Sequence, residues 1–313
     1  MSAPVQLVEA PVKPVTLPPS ETPVEASPSR AALPTTSLVD DPAAQRRRSQ
    51  RRRRVLVQVL RLVTAVVWIG SWELTTRVGW VDKFFFGQPS GIFDQLRIWV
   101  TEGTALGPLW LQVVTTMEET ILGFIVGSVA GVVVGVLLGR NRLLADVMSP
   151  YIKAANSIPR VVLGALFAIS LGLDIRSKIA TAAVLVFFVV FFNAFQGVRE
   201  VDKNLVANAR ILGANSRRLT TEIVIPSAMS WIVASLHISF GLALVGAVVG
   251  ELFGATQGVG QLIYNAEHNF DANGVFAGML LLAAVALVAE SGLTVIENRL
   301  ISWRPSTVGD VSI

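Results

Sequence analysis

Long apolar stretches alternate with short polar segments along most of this 313-residue chain. A transmembrane helix needs about 20 mainly apolar residues, and six stretches reach or approach that length. They cover residues 55–76, 120–139, 145–171, 179–198, 223–250 and 274–296. The pattern therefore predicts an all-α integral membrane protein with six spans, the third of which is interrupted by Lys153 and Arg160.

Two segments between the spans also have helical patterns. In the loop 78–111, apolar residues recur at helical spacing from Ile92 to Val100, which predicts an interfacial helix packed on the bundle. The Gly-rich stretch 251–273 is too polar to span. Its central part, Gly258 to Phe270, is predicted to form a short re-entrant or surface helix on the far, external side of the membrane.

The first 54 residues have a different composition. Nine of the 15 prolines lie at residues 4–42, and residues 1–45 contain no glycine or aromatic residue, which is typical of disorder. Seven arginines follow at residues 46–54. We interpret them as a juxtamembrane anchor for anionic lipid, since no cleavage site of a signal peptide and no interleaved aromatics of a nucleic-acid site accompany them. The expected organisation is a tail at 1–54, a membrane domain at 55–305 and a short cytoplasmic C-terminus at 306–313.

Composition excludes several classes of protein. Hydrophobic residues make up 52% of the chain and charged residues only 15%, against about 25% charged in soluble domains. The absence of cysteine excludes disulfides and thiolate sites, and two histidines argue against a His-based metal site. No phosphate-binding loop, zinc-protease motif or nucleophile elbow occurs. We therefore expect no catalytic residues, no metal and no cofactor bound by this chain.

Basic residues also predict the topology. With the N-terminus inside, the cytoplasmic segments hold 17 Lys and Arg residues and the external segments hold five. Because Lys and Arg accumulate on the cytoplasmic side, we expect both termini to lie inside a bacterial plasma membrane.

Within the spans, small and ionisable residues are the candidates for packing or function. One slowly drifting stripe of the second span holds a glycine at every fourth position: Gly123, Gly127, Gly131, Gly135 and Gly139. We favour close helix packing for this stripe over a solute path. Glu118 and Glu119 are expected at the headgroups. His237 and Glu290 are both possible pore residues. The alternatives are a hydrogen bond between helices for His237, and for Glu290 a place facing the bundle interior or a pair with a basic residue.

The loop between the fourth and fifth spans has the most specific pattern. Leu205, Ala209 and Leu212 fall on one helical face, and Gly213 is placed to end that helix. A second helical stretch follows, and Pro226 can open the next span. The loop is therefore predicted to form a short helix, a turn and another short helix at the membrane surface.

This loop resembles the coupling motif of binding-protein-dependent ABC importer permeases, E-A-A-x3-G-x9-I-x-L-P. The spacing matches throughout, although Ala207 replaces the Glu and Asn208 replaces the first Ala. The resemblance, which covers residues 84–304, implies a set of residues that contact the ATPase: Leu205, Ala207, Asn208, Ala209, Leu212, Gly213, Arg217, Arg218, Ile223 and Pro226.

Further segments look like the nitrate/sulfonate/taurine/bicarbonate branch of that family. They are residues 86–90, with Gln88 and Ser90 as departures, 157–160, 258–263, and 297–299 followed by Trp303 and Arg304. The resemblance implies a type I importer fold, a homodimeric pore, an external solute-binding protein, and separate cytoplasmic subunits that use ATP and Mg. It also implies a small organic anion such as a sulfonate, taurine or nitrate-like solute, or a thiamine-related pyrimidine. The alternatives are a secondary transporter, for which no paired inverted halves are seen, and a membrane scaffold protein.

Overall fold

The computed structural model describes residues 42–300, and no β-strand occurs within this range. Its helices are α1 (Pro42–Val78), α2 (Lys83–Phe86), α3 (Pro89–Thr101), α4 (Leu109–Arg140), α5 (Arg142–Ser157), α6 (Val162–Leu171), α7 (Ile175–Arg199), α8 (Lys203–Ile211), α9 (Ser216–Leu219), α10 (Ile225–Leu252), α11 (Val259–His268) and α12 (Ala272–Leu300). A π-helical turn, Thr220–Val224, joins α9 to α10. The expectations for residues 1–41, Trp303, Arg304 and residues 306–313 lie outside the described residues.

The chain divides into two units, residues 1–61 and 62–313. In the first unit, the described residues form the N-terminal part of α1, which is helical from Pro42 onward. The sequence predicted disorder as far as about residue 45, so the helix begins a few residues earlier than expected. All other elements belong to the second unit.

Helices α4 and α7 form the centre of the second unit and run parallel to each other. A Cβ atom built on Gly123 would lie 3.1 Å from the Ile179 carbonyl oxygen, and one on Gly139 would lie 2.8 Å from the Val198 side chain. The N-terminal ends of both helices therefore lie at the same end of the bundle. The chain between α4 and α7 must cross back to that end, so the bent pair α5–α6 forms one crossing. With the five long apolar helices, the described residues make the six crossings that the sequence predicts.

The third crossing is broken rather than continuous. Helices α5 and α6 meet at 96°, because Pro159 disfavours helical backbone at the residue before it. Ile158 is accordingly extended, with φ −74° and ψ 128°. The single stretch predicted at 145–171 is therefore two helices. Helix α5 carries Lys153, Arg160 lies in the break, and α6 holds the uncharged run.

Helix α10 packs antiparallel to α7 and completes the core. A Cβ on Gly250 would lie 2.9 Å from Lys178 Cα, and one on Gly197 would lie 2.9 Å from Trp231 Cβ. Small residues therefore allow the backbones of α4, α7 and α10 to approach closely, which is how helices associate in lipid. Helix α7 lies between its two neighbours, and its residues Ala182, Val186 and Val190 are fully buried.

A layer of short helices covers one end of the bundle. Ile92 and Trp99 of α3 pack with Leu262 of α11 and Ala277 of α12. Glu73, near the end of α1, accepts hydrogen bonds from Gln88 Nε2 (2.6 Å) and from the Ser90 amide (3.0 Å). The two departures from the family pattern, Gln88 and Ser90, are thus the residues that bind Glu73.

Candidate functional site

The predicted surface loop forms a short helix that ends in a defined turn. Asp202 begins α8 by accepting a hydrogen bond from the Asn204 amide at 2.8 Å. At the other end, Gly213 has φ +86°, its amide bonds to Arg210 O, and the Ala214 amide bonds to Ala209 O. This is a Schellman turn, which favours glycine because the left-handed backbone strains other residues. We call residues 202–226 the coupling element.

The inward face of α8 differs from the one the sequence suggested. Val206 and Ala209 pack against the cluster that contains Val198 and Leu219. Leu205 and Leu212, expected on the same face as Ala209, are 47% and 86% exposed. Leu212 is exposed because α8 stops at Ile211 and Leu212 belongs to the turn. Leu205 is exposed because the packed face of α8 runs through Val206 and Ala209 instead.

The second half of the coupling element is irregular. Asn215 caps α9 by accepting a hydrogen bond from the Arg218 amide at 2.8 Å, and Arg218 pairs with Glu222 at 3.1 Å. The helix then widens into the π-helical turn 220–224. Pro226 stands in the first turn of α10 and has no amide hydrogen to donate to the preceding turn.

The other predicted coupling residues lie on the surface of this element. Ala207, Asn208 and Arg217 are exposed, and Ile223 is half-buried. The structure thus brings the whole predicted set to one end of the bundle.

The glycine stripe of α4 faces α7 along its full length. A Cβ on Gly127, Gly131, Gly135 or Gly139 would lie within 3.0 Å of an α7 atom, and one on Gly123 would meet Ala182. Real Cβ atoms do not approach so closely, so the glycines are required by helix packing. Nothing in this geometry places the stripe on a solute path.

The two ionisable residues proposed for the pore pair with each other. His237 Nε2 of α10 lies 3.4 Å from Glu290 Oε1 of α12. Their side chains are 39% and 57% exposed in the single chain. Glu290 therefore pairs with a basic residue, and His237 joins two helices.

A buried polar cluster at the opposite end of the bundle from the coupling element escaped the sequence analysis. It contains Glu119 of α4, Lys178 of α7 and Glu251 of α10, which are 3%, 1% and 0% exposed. Lys178 interacts electrostatically with both carboxyl groups and donates a hydrogen bond to Leu173 O. Glu119 is not solvated as the sequence led us to expect, because it is buried in this cluster, whereas its neighbour Glu118 is exposed.

This polar cluster holds the start of α11 against α4 and α10. Glu251 accepts hydrogen bonds from Thr116 Oγ1 at 2.6 Å and from the Gly260 amide at 2.5 Å. Nearby, Gln112 Oε1 accepts from the Gly258 amide at 2.8 Å, and Thr116 Oγ1 accepts from the Val259 amide at 2.9 Å. Three successive backbone amides, at 258–260, are thus bound by side chains of the spans.

Only one feature of the sequence indicated that Glu251 contacts the start of α11. The segment Gly258-Val259-Gly260 has two glycines close to Glu251, and a Cβ on Gly258 or Gly260 would collide with the Glu251 carboxylate. The count of basic residues assigned Lys178 to an external loop, so the sequence did not predict its burial. Among the described residues, no three His, Asp or Glu side chains converge as metal ligands.

Comparison with known proteins identifies relatives over most of the chain. The putative aliphatic sulfonates transport permease protein SsuC of Bacillus subtilis is 29% identical over 248 residues, which are 79% of this chain and 88% of that protein. The formylaminopyrimidine transport permease protein ThiX of Halalkalibacterium halodurans is 26% identical over 74% of this chain and 91% of its own length. The riboflavin transport system permease protein RibX of Chloroflexus aurantiacus is 29% identical over 78% of this chain and 90% of its own.

A solved structure and a family model agree with these relatives. The inward-facing MetNI methionine ABC transporter contains a chain of similar fold, with a TM-score of 0.53 and 21% identity over 62% of this chain and 96% of that chain. The model of binding-protein-dependent transport system inner membrane components matches residues 127–302, more than half of the sequence. The chain belongs to this family of ABC importer permeases.

Proposed function

We propose that this chain forms the solute path of an ABC importer as a homodimer, and that a separate cytoplasmic ATPase drives it through the coupling element. Family membership makes the chain a multi-pass inner-membrane transport subunit and removes the secondary-transporter and scaffold alternatives. In this proposal a solute-binding protein delivers the solute from outside. ATP and Mg belong to the ATPase subunits.

One observation carries the coupling role. Helix α8 is anchored to the bundle through Val206 and Ala209, yet Ile211 and Leu212 beside its terminal turn are 83% and 86% exposed. Apolar side chains fixed together at a polar surface are typical of a docking site for a protein partner. A helix tied to the spans on one side and exposed on the other can transmit the movement of such a partner to α7 and α10.

The orientation and the solute are also proposals. The excess of basic residues at the end that carries the coupling element supports a cytoplasmic position for that end and for both termini. The names of the relatives refer to aliphatic sulfonates, formylaminopyrimidine and riboflavin. We propose a small organic anion such as a sulfonate, taurine or nitrate-like solute, or a thiamine-related pyrimidine. The ligand that copurifies with the cognate binding protein would identify it.

Two substitutions in the coupling element test the central proposal. At Gly213 the backbone is left-handed and an added Cβ would meet nothing within 4 Å. Gly213→Val therefore strains only the turn, by about 1–2 kcal/mol, and should misplace α8. Leu212→Glu leaves the backbone unchanged and puts a charge on the exposed apolar surface. Both variants should insert normally, bind the ATPase at least tenfold more weakly, and lose solute-stimulated ATP hydrolysis in proteoliposomes.

Control variants separate coupling from folding. Asn204→Ala changes an exposed side chain of the same helix, and Val100→Glu adds the same charge at the opposite end of the bundle on a residue that is 70% exposed. Both should retain ATPase association. Asn215 is unsuitable as a control because it caps α9. Full association and full stimulated hydrolysis in Gly213→Val and Leu212→Glu would disprove the coupling role of this element.

A further inference from the structure

A cavity lies between the coupling element and the ends of the spans. Its volume is about 600 Å³, and its walls come from the α4–α5 junction, the end of α7, and α8 with the turn that follows it. Four arginines from these separate segments line it: Arg140, Arg142, Arg199 and Arg210. No acidic side chain lines the cavity within the described residues.

Two of the four guanidinium groups are held in place by neighbours. Arg140 Nη2 donates to Ser216 Oγ at 3.1 Å, which joins the end of α4 to the start of α9. The guanidinium of Arg199 stacks 5.3 Å from the centre of the Phe195 ring. Neither contact neutralises the positive charge. These arginines are therefore positioned rather than free to move apart.

Three acidic residues near the cavity in sequence have other partners. Glu200 accepts a hydrogen bond from Gln196 at 2.9 Å, Asp202 caps α8, and Glu222 pairs with Arg218. Among the described residues, the ion pairs include none of the four cavity arginines. Within the described residues, four arginines thus line one cavity without a carboxylate in its walls or at ion-pair distance from them.

We propose that this cavity binds a phosphate-type oxyanion, carried either by the headgroup of an anionic phospholipid or by a free anion. Guanidinium groups bind phosphate oxygens through two parallel hydrogen bonds, which a compact ammonium group cannot do. All four cavity cations are arginines. The topology rule explains why basic residues accumulate at this end, but it does not require residues from three segments to surround one cavity. A bound oxyanion would connect α8 to α4 and α7 and so brace the coupling element.

The test measures binding of these anions to the full-length purified protein. The readout is the midpoint temperature of thermal unfolding. One arm adds inorganic phosphate, and the other adds short-chain phosphatidylglycerol, with short-chain phosphatidylcholine as the uncharged reference. A ligand that binds only the folded state raises the midpoint in a saturable way. Within the described residues, Arg142 and Arg210 form no ion pair. The double variant Arg142→Gln/Arg210→Gln should therefore fold as the wild type does. Its matched control, Arg97→Gln/Arg176→Gln, removes two exposed arginines from the other end of the bundle.

The proposal predicts saturable stabilisation of the wild type and of the control, and at least a tenfold loss of affinity in the double variant. Stabilisation by phosphate identifies a free anion as sufficient, whereas stabilisation by phosphatidylglycerol alone identifies a lipid headgroup. If the double variant has a lower midpoint before any addition, Arg199→Gln provides the second test, with the same loss expected. No saturable response in either arm, or equal affinity in wild type and double variant, would overturn the proposal. ATPase association is not part of the readout, so this test can fail while the coupling proposal holds.

Discussion

Removal of the Glu251 carboxylate should destabilise the end of the bundle that carries α11. Glu251 is fully buried and accepts one hydrogen bond from Thr116 and one from the Gly260 amide. Glu251→Ala leaves the Gly260 amide without its acceptor, whereas the Thr116 hydroxyl retains its hydrogen bond to the Gln112 carbonyl oxygen. A buried donor left unsatisfied costs about 1–3 kcal/mol, so the free energy of unfolding should fall by about that amount. The substitution also removes one of the three carboxyl groups that interact electrostatically with Lys178, leaving Glu119 and Asp174.

The magnitude converts into a measurable change in thermal stability. For chains of about 150–250 residues, 1 kcal/mol corresponds to about 2–4 °C in the midpoint of unfolding. The variant should therefore unfold about 2–12 °C below the wild type. Heating the detergent-purified protein and measuring the monodisperse fraction by size-exclusion chromatography gives the midpoint. Hydrogen exchange provides a local readout, since the Gly260 amide should exchange faster while amides in the middle of α7 keep their protection.

Glu118→Ala is the matched control, because Glu118 lies next to the buried Glu119 in α4 but is itself exposed. It should shift the midpoint by less than about 2 °C, as surface substitutions usually do. An equal midpoint for Glu251→Ala and Glu118→Ala would refute the reasoning. So would unchanged exchange at Gly260, because the carboxylate would then not hold α11.

Two further predictions test packing and topology. Gly131→Leu should lower the yield of folded protein, because a Cβ there would already lie 2.9 Å from the Phe187 carbonyl oxygen, whereas Gly70→Leu, with open space around Gly70, should not. A normal yield of Gly131→Leu with altered solute selectivity would instead assign the stripe to the solute path. Single cysteines can be introduced freely since the chain has none. An impermeant thiol reagent added to intact cells should label cysteine at Ser90 or Asn265 and not at Ser216, and labelling at Ser216 would contradict the proposed orientation.

Much of the architecture follows from local sequence patterns. Span length and hydropathy predict the six crossings because a helix in lipid must satisfy its own backbone hydrogen bonds over about 20 residues. The turn at Gly213 is predictable for a similar reason, since a glycine after a short amphipathic helix relieves strain that any other residue would suffer. The glycine spacing in α4 indicates a close helix neighbour, although it does not say which helix.

Tertiary structure decided which groups meet, because pairing depends on distances between segments far apart in sequence. Glu119 and Glu251 are 132 positions apart, and only the parallel packing of α4 and α7, with α10 antiparallel, places them beside Lys178. A hydropathy analysis counts each charged residue as costly in the membrane and therefore places it at the end of a span. A partner of opposite charge on another helix allows such a residue to be buried. The same holds for the exposed face of α8. Its amphipathic pattern is visible in the sequence, but the Schellman turn and the contacts of Val206 and Ala209 determine that Leu212 points outward.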